Sequence, residues 1–307
     1  MKLSVVATLY QSAPTLARFC ERAGRVAHTV AGDDHEIVLV HDGSPDQSLE
    51  MALDLAEANP RLVIVDLSRN FGHHKAMMTG LAQARGERVF LLDSDLEEDP
   101  EWLIDFDDQM TRNGCDVVYG VQVRRKGGWI ERVSGAAFYR LFNLATGINL
   151  PRDVVTARLM TRRYVEALIR HEEREVFIAG LWHLAGFEQQ PHPVRKHHDS
   201  PTTYSLGRKF SLLVNAITAF SNAPLIAIFH FGLMICFGAA LSIGYLLINW
   251  YFFQRPLSGW TSVMASIWLL GGLIISFLGI IGLYLSRIYT ETKKRPYTII
   301  RHIHRRQ

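Results

Sequence analysis

From residue 210 to residue 254 the chain carries no Asp, Glu, Lys or Arg. After Arg255 a second uncharged run extends from residue 256 to residue 286. A helix needs about 20 apolar residues to cross the hydrocarbon core of a bilayer. Residues 225–253 and 261–285 each meet that length. Two buried core helices would also be apolar, but a soluble domain rarely carries two such runs in series. The pattern therefore predicts two membrane spans. Trp250, Tyr251 and Trp260 stand at their shared end, where interfacial aromatics belong. Gly271, Gly272, Gly279 and Gly282 would let the helices approach closely.

Orientation follows from the basic residues. The turn between the runs holds Arg255 alone, whereas Arg195, Lys196, Arg208 and Lys209 precede them and a basic stretch follows. Because Lys and Arg are retained on the inner side, both flanks are expected in the cytosol. Residues 204–222 place Phe210, Leu213, Val214, Ile217 and Phe220 at helical spacing, which suggests a helix lying along the bilayer surface. Pro224 would break a helix continuous with the first span. The expected organisation is a soluble domain over 1–203, an interfacial helix over 204–222, a two-helix hairpin over 223–286 and a basic cytosolic tail over 287–307. That tail holds seven basic residues and one acid in a chain whose overall net charge is only +3. So even a balance does not suggest nucleic acid as a partner. Three widely spaced cysteines, Cys20, Cys115 and Cys236, read as reduced thiols rather than a disulfide framework.

The first 200 residues alternate two periodicities. Residues 3–9, 36–40, 62–65, 88–92 and 117–121 read as strands. Residues 15–30, 47–58, 74–84 and 100–112 read as helices. Such alternation predicts an α/β domain with a mostly parallel, Rossmann-like sheet covered by helices on both faces. Ligands of these sheets bind beyond the carboxyl ends of the strands, so chemistry-bearing motifs should follow strands.

Three motifs do. His41-Asp42-Gly43-Ser44-Pro45-Asp46 follows the second strand. There Asp42 could accept from a nucleobase or ribose, while Asp46 could equally be a cap for the next helix. Ser68-Arg69-Asn70-Phe71-Gly72-His73-His74-Lys75 follows the third. Its Arg69 and Lys75 flank a helix start, a natural phosphate site. Adjacent histidines do not share a helix face, so His73 and His74 read as surface residues rather than a metal pair. Asp93-Ser94-Asp95-Leu96-Glu97-Glu98-Asp99-Pro100 leaves the fourth. Two carboxylates one residue apart on a bending strand end can reach one hard divalent cation, Mg²⁺ or Mn²⁺, with diphosphate oxygens completing its shell. Asp99 could instead cap the following helix.

Together these motifs resemble glycosyltransferase family 2, with its GT-A fold. The order of domain and apolar runs is similar to polyprenyl-phosphate glycosyltransferases of the dolichol-phosphate mannosyltransferase and bactoprenol glucosyltransferase type. The likeness continues in Asp116-Val117-Val118-Tyr119-Gly120-Val121, Ser134, Phe138-Tyr139-Arg140-Leu141, Arg158-Leu159-Met160, Gly180-Leu181, Gly186-Phe187 and Tyr204-Ser205-Leu206. It implies a donor site of Thr8, Tyr10, Asp42, Ser44, Arg69, Lys75 and Asp93. It also implies a metal set of Asp93, Asp95 and Glu97, the last standing where the family usually has Gln. Arg125 and Arg132 match basic positions near the acceptor phosphate, and Arg158 lies in a loop facing the reaction centre. With Asp95, these three make up the expected catalytic set. The chain departs from the pattern at His41 (usually Asp), Gln122 (often Arg), Thr156-Ala157 (usually Asp-Phe), Ala179 (often Arg) and Thr202-Thr203 (usually Ser-Lys).

The resemblance implies an inverting transfer of a sugar, glucose from UDP as first guess, to undecaprenyl phosphate for cell-envelope or O-antigen glycan modification. The place is the cytosolic face of a bacterial inner membrane, and a homo-oligomer, a tetramer, is the family expectation. A lipid phosphate is already anionic near neutral pH, so it needs no strong base, and loss of the loop carboxylate at Thr156 is tolerable. Arg125, Arg132 and Lys196 would hold that phosphate. A processive synthase would show Q-x-x-R-W and more spans, and neither occurs. The non-enzymatic rival is a membrane-anchored nucleotide-sugar-binding scaffold with altered catalytic residues.

Overall fold

A computed structural model describes residues 1–123, 153–173, 178–196, 221–253 and 259–306. Arg125, Arg132 and nearly all of the expected interfacial helix lie outside the described residues. The chain divides into two compact units. One holds a sheet and takes back the chain from Arg295 onward. The other holds two long apolar helices.

The centre of the sheet is parallel. β1 (Leu3–Leu9), β2 (His35–His41), β3 (Leu62–Leu67) and β4 (Arg88–Leu91) stand in the order β4-β1-β2-β3. Every residue of β1, β2 and β3 is buried, as a parallel sheet covered on both faces requires. That is why these strands read as continuous apolar runs. The connecting helices are α1 (Ala13–Ala31), α2 (Ser48–Ala58), α3 (His73–Gln83) and, after β4, α4 (Trp102–Asn113). On α1, Leu16, Phe19, Cys20, Ala23, Val26 and Ala27 form one buried stripe at helical period, and Pro14 occupies the first turn. α4 stops at Gly114, whose φ of 66° is the left-handed conformation that ends helices.

Beyond β4 the sheet is mixed. β6 (Val154–Thr161) runs antiparallel to β4 and to β5 (Val117–Gln122), and β7 (Gln189–Val194) joins β5 in parallel. α5 (Arg162–Ile169) and α6 (Ile178–Leu184) complete this side. With a last strand, β8 (Ile300–Arg305), the order among the described residues is β7-β5-β6-β4-β1-β2-β3-β8. The nine strands and helices expected in the first 121 residues are all found, with ends displaced by two residues at most.

The last strand, β8 (Ile300–Arg305), corrects the sequence reading. Residues 287–307 were expected as a basic cytosolic tail, with no strand in it, but Ile300–Arg305 pair antiparallel with β3 at the edge of the sheet. The reason is electrostatic. Buried Asp66 and Glu36 receive Arg301 and Arg305, at 3.2 and 3.0 Å. Two arginines four residues apart fall on one side of a strand, so their charges neutralise the sheet rather than face a bilayer.

The apolar unit contains α7 (Ala223–Phe253) and α8 (Trp260–Thr292). Phe231 meets Phe277 edge to face, with centroids 6.1 Å apart, and the Tyr284 hydroxyl donates to the Ser221 carbonyl at 2.8 Å. Pro224 sits in the first turn of α7, where a proline costs no helical hydrogen bond. Residues Ser266–Thr292 are long and apolar enough to cross a membrane. Their large side chains face outward, with Trp268 80% and Ile275 72% exposed.

Candidate active site

The chain passes from β3 to β4 by stepping over β1 and β2, so β1 and β4 flank a switch in winding direction. Loops leaving neighbouring strands at such a point diverge and open a crevice. Three of the expected motifs lie at the ends of β2, β3 and β4, and Thr8 and Tyr10 lie at the end of β1.

The β2 loop is packed from within. Asp42 is buried, and its two oxygens accept the backbone N–H groups of Phe71 at 2.7 Å and Gly72 at 3.0 Å. Burial pushes its carboxyl up against the effect of those two donors. Ser44 accepts the Gln11 N–H at 2.7 Å and donates to Asp46 at 2.6 Å. Asp46 also takes the Ala13 and Ser48 N–H groups and the Ser48 hydroxyl. These donors outweigh its desolvation and hold it down to about 2. Asp42 and Ser44, read as donor contacts, therefore also weld the loop to its neighbours. His41 accepts the Ser44 N–H on Nε2 at 3.0 Å, which assigns its proton to Nδ1, 2.8 Å from Asp66.

Over the β3 loop, Arg69 is exposed, with its guanidinium 4.2 Å from the Phe71 ring centroid. Lys75 lies in the first turn of α3, and Tyr10 is 51% exposed.

The β4 loop gathers the charges. Asp93 Oδ1 is buried and receives no hydrogen bond. His73 Nε2 stands 3.2 Å from it without the alignment of one, and the other ring nitrogen is 3.0 Å from the Thr8 hydroxyl. Desolvation opposes ionisation of both partners, yet the contact lowers the Asp93 carboxyl and raises the His73 imidazole. His73, expected as a plain surface histidine, thus belongs to the site. Asp95 is exposed and accepts the Glu97 N–H at 2.9 Å. Ser94 points the other way, donating to the Thr8 carbonyl at 2.8 Å. Among the described residues no group of three metal-ligating side chains converges. The expected trio Asp93, Asp95 and Glu97 is therefore not assembled. Two carboxylates, one of them with a buried and undonated oxygen, nevertheless suit a hard cation that takes its remaining oxygens from a ligand.

Behind this loop lies Glu98, fully buried. Its Oε1 accepts the Thr156 N–H at 3.0 Å and the Lys196 ammonium at 3.1 Å, and its Oε2 is buried without a donor. Burial, then the charge of Asp93, pushes it up to about 7. Lys196 also lies 3.8 Å from Glu97. Sequence reasoning missed Glu98 because an acidic run reads as solvated surface. Arg158 was expected in a loop facing the reaction centre. It stands instead within β6, 1% exposed, stacked 2.9 Å over the centroid of Trp182. Its Nε donates to the Thr156 carbonyl at 3.3 Å, and burial lowers it to about 9.

The glycosyl transferase family 2 model matches residues 4–169, which include the loops just described but neither Trp182 nor Lys196. The chain belongs to glycosyltransferase family 2. Its sheet is the GT-A-like mixed sheet of such enzymes, and the protein is a glycosyltransferase. A protein of Mycobacterium tuberculosis named as a putative glycosyltransferase is 47% identical over 99% of this transferase and 89% of its own length. The bactoprenol glucosyl transferase of Shigella phage SfII is 30% identical over 99% of each chain. Among solved structures, Staphylococcus aureus TarS 1–349 with UDP-GlcNAc gives a TM-score of 0.48 at 17% identity. It covers 71% of the transferase and 66% of TarS. Glucosyl-3-phosphoglycerate synthase of M. tuberculosis, with Mn²⁺, UDP-glucose and phosphoglyceric acid, gives 0.47 at 19% identity over 71% and 79%.

Proposed function

We propose that the transferase moves glucose from UDP-glucose to a polyprenyl phosphate at the bacterial cytoplasmic membrane. The observation that carries this reading is the full-length likeness to a bactoprenol glucosyl transferase, reaching through the apolar helices as well as the catalytic unit. A long prenyl chain leaves the bilayer only at about 0.8 kcal/mol per exposed CH₂, so an enzyme that uses it has to work at the membrane. Ser266–Thr292 and the apolar α7 supply the anchor on this reading, as a hairpin with both flanks in the cytosol.

The donor lies across the ends of β1 to β4. Tyr10 offers an exposed ring for the base, Asp42 the ribose side, and Arg69 and Lys75 the diphosphate. Asp93 and Asp95 would hold Mg²⁺ or Mn²⁺, which neutralises charge on the departing diphosphate. The acceptor phosphate oxygen attacks the anomeric carbon from the face opposite the nucleotide. The C–O bond to the diphosphate breaks with its electron pair, and the anomeric configuration inverts. Arg125, Arg132 and Lys196 position the phosphate, and subunits associate as a homo-oligomer.

The test is the purified full-length protein in vesicles with undecaprenyl phosphate and a panel of nucleotide sugars. A lipid-linked hexose formed from UDP-glucose supports the reading. Transfer to water or to a soluble acceptor, with none to the lipid, refutes it.

A further inference from the structure

Arg301 lies on β8, beyond both apolar helices in the chain, yet it touches the base of the β3 loop directly and reaches the β2 loop through a relay. Its Nη1 donates to Asp66 Oδ2 at 3.2 Å, and its Nη2 donates to the Ser68 carbonyl at 2.8 Å. Asp66 is 3% exposed, and its other oxygen accepts the His41 Nδ1 proton at 2.8 Å. His41 then receives the Ser44 N–H. One unbroken line of hydrogen bonds therefore runs from Arg301 to the backbone of the β2 loop. A second contact runs from Arg301 to the start of the β3 loop, next to which the Ser68 N–H donates to the Ile299 carbonyl at 2.9 Å. The two loops meet again where Asp42 accepts from Phe71 and Gly72.

His41 can serve in this line only as the neutral Nδ1–H tautomer, because Nε2 must accept. The Asp66 carboxylate selects that tautomer, and Arg301 pairs with the buried carboxylate and holds it in place. Arg305, on the same side of β8, has a different target. It pairs with Glu36, which also takes the Ser4 hydroxyl and the Arg85 N–H, away from the loops.

We propose that Arg301 is a positioning residue for donor binding, acting through Asp66 and His41 on the loop at 42–46 and through Ser68 on the loop at 68–72. The proposal rests on the reading that these loops hold the nucleotide. The C-terminal strand is thereby a working part of the donor site.

The experiment uses the full-length protein and its R301Q, R301K and R305Q variants. It measures UDP and GDP binding by calorimetry, donor KM and kcat, and melting temperature. R301Q should raise the nucleotide Kd and donor KM about tenfold while kcat stays within about twofold, as expected for lost ordering of a binding loop. R301K, which can reach one of the two acceptors at a time, should recover part of that loss. R305Q should lower the melting temperature at least as much as R301Q, yet leave the nucleotide Kd within about twofold. Unchanged binding in R301Q overturns the proposal. So does an equal loss in R305Q, which would make the effect a general loosening of the strand. Failure of the donor reading has a separate signature, namely that the unaltered protein binds neither nucleotide, and the proposal then falls with it.

Discussion

Gly43 is where the β2 and β3 loops touch most closely, and replacing it with alanine should uncouple them. Its φ is +57°, and a Cβ built on it would stand 2.4 Å from the Asn70 nitrogen and 2.5 Å from the Arg69 carbonyl carbon. Ordinary contact begins near 3.5 Å, so the loops must part by about 1 Å. The bonds from Phe71 and Gly72 to Asp42, now 2.7 and 3.0 Å, then exceed hydrogen-bond range. Hydrogen bonds to a charged group contribute about 1.5–3 kcal/mol each. The left-handed backbone adds about 1–2 kcal/mol of strain for alanine. Together Gly43→Ala should cost about 4–8 kcal/mol, a large share of the 5–15 kcal/mol of a typical domain. Gly32→Ala is the control. Its φ is +60° and nothing lies within 4 Å, so it should show the strain alone. Urea unfolding of both variants, with UDP binding measured beside it, separates the terms. If Gly43→Ala unfolds within about 1 kcal/mol of Gly32→Ala and binds UDP normally, the loops are not coupled through this contact and the reasoning fails.

Asp95→Ala should abolish turnover while leaving the melting temperature within a few degrees, because Asp95 is exposed; full activity, or activity undiminished in EDTA, would remove the metal role. Glu98 binds its proton in the folded state up to about pH 7, whereas a glutamate of the unfolded chain releases it near 4.5. Stability should therefore fall as pH rises through that window, and Glu98→Gln should flatten the profile measured by thermal unfolding. Replacing residues 205–294 with a flexible linker should leave a folded catalytic unit, whereas a chain ending at residue 204 should aggregate or unfold, since Asp66 and Glu36 lose their arginines; circular dichroism and size-exclusion chromatography distinguish the two. That linked unit should transfer sugar to a short soluble prenyl phosphate and lose most transfer to the long-chain lipid in vesicles, as read by radiolabelled product.

The parallel core was legible because burial on both faces leaves no room for polar alternation in β1, β2 and β3. That the motifs gather at one end of the sheet followed from the same reading, since they were expected beyond the carboxyl ends of the strands. β8 was hidden for the opposite reason. Ile-Arg-His-Ile-His-Arg offers no apolar run, and the carboxylates that call for its arginines lie more than 200 residues earlier. Glu98 was hidden inside an acidic run whose average character is solvated, although its own side chain is sealed under Thr156 and Lys196. Arg158 illustrates a limit of carrying roles over by motif. The residue type matched, but its place in β6 stacks it on Trp182, which depends on packing that no local spacing encodes.

The sheet of this transferase is finished by a strand that follows both apolar helices in the chain. β1 to β7 and both apolar helices are synthesised before β8 exists. Until then β3 is an open edge, and two buried-site carboxylates wait without their cations. A chain terminated before β8 therefore carries an exposed edge that quality-control proteases can seize.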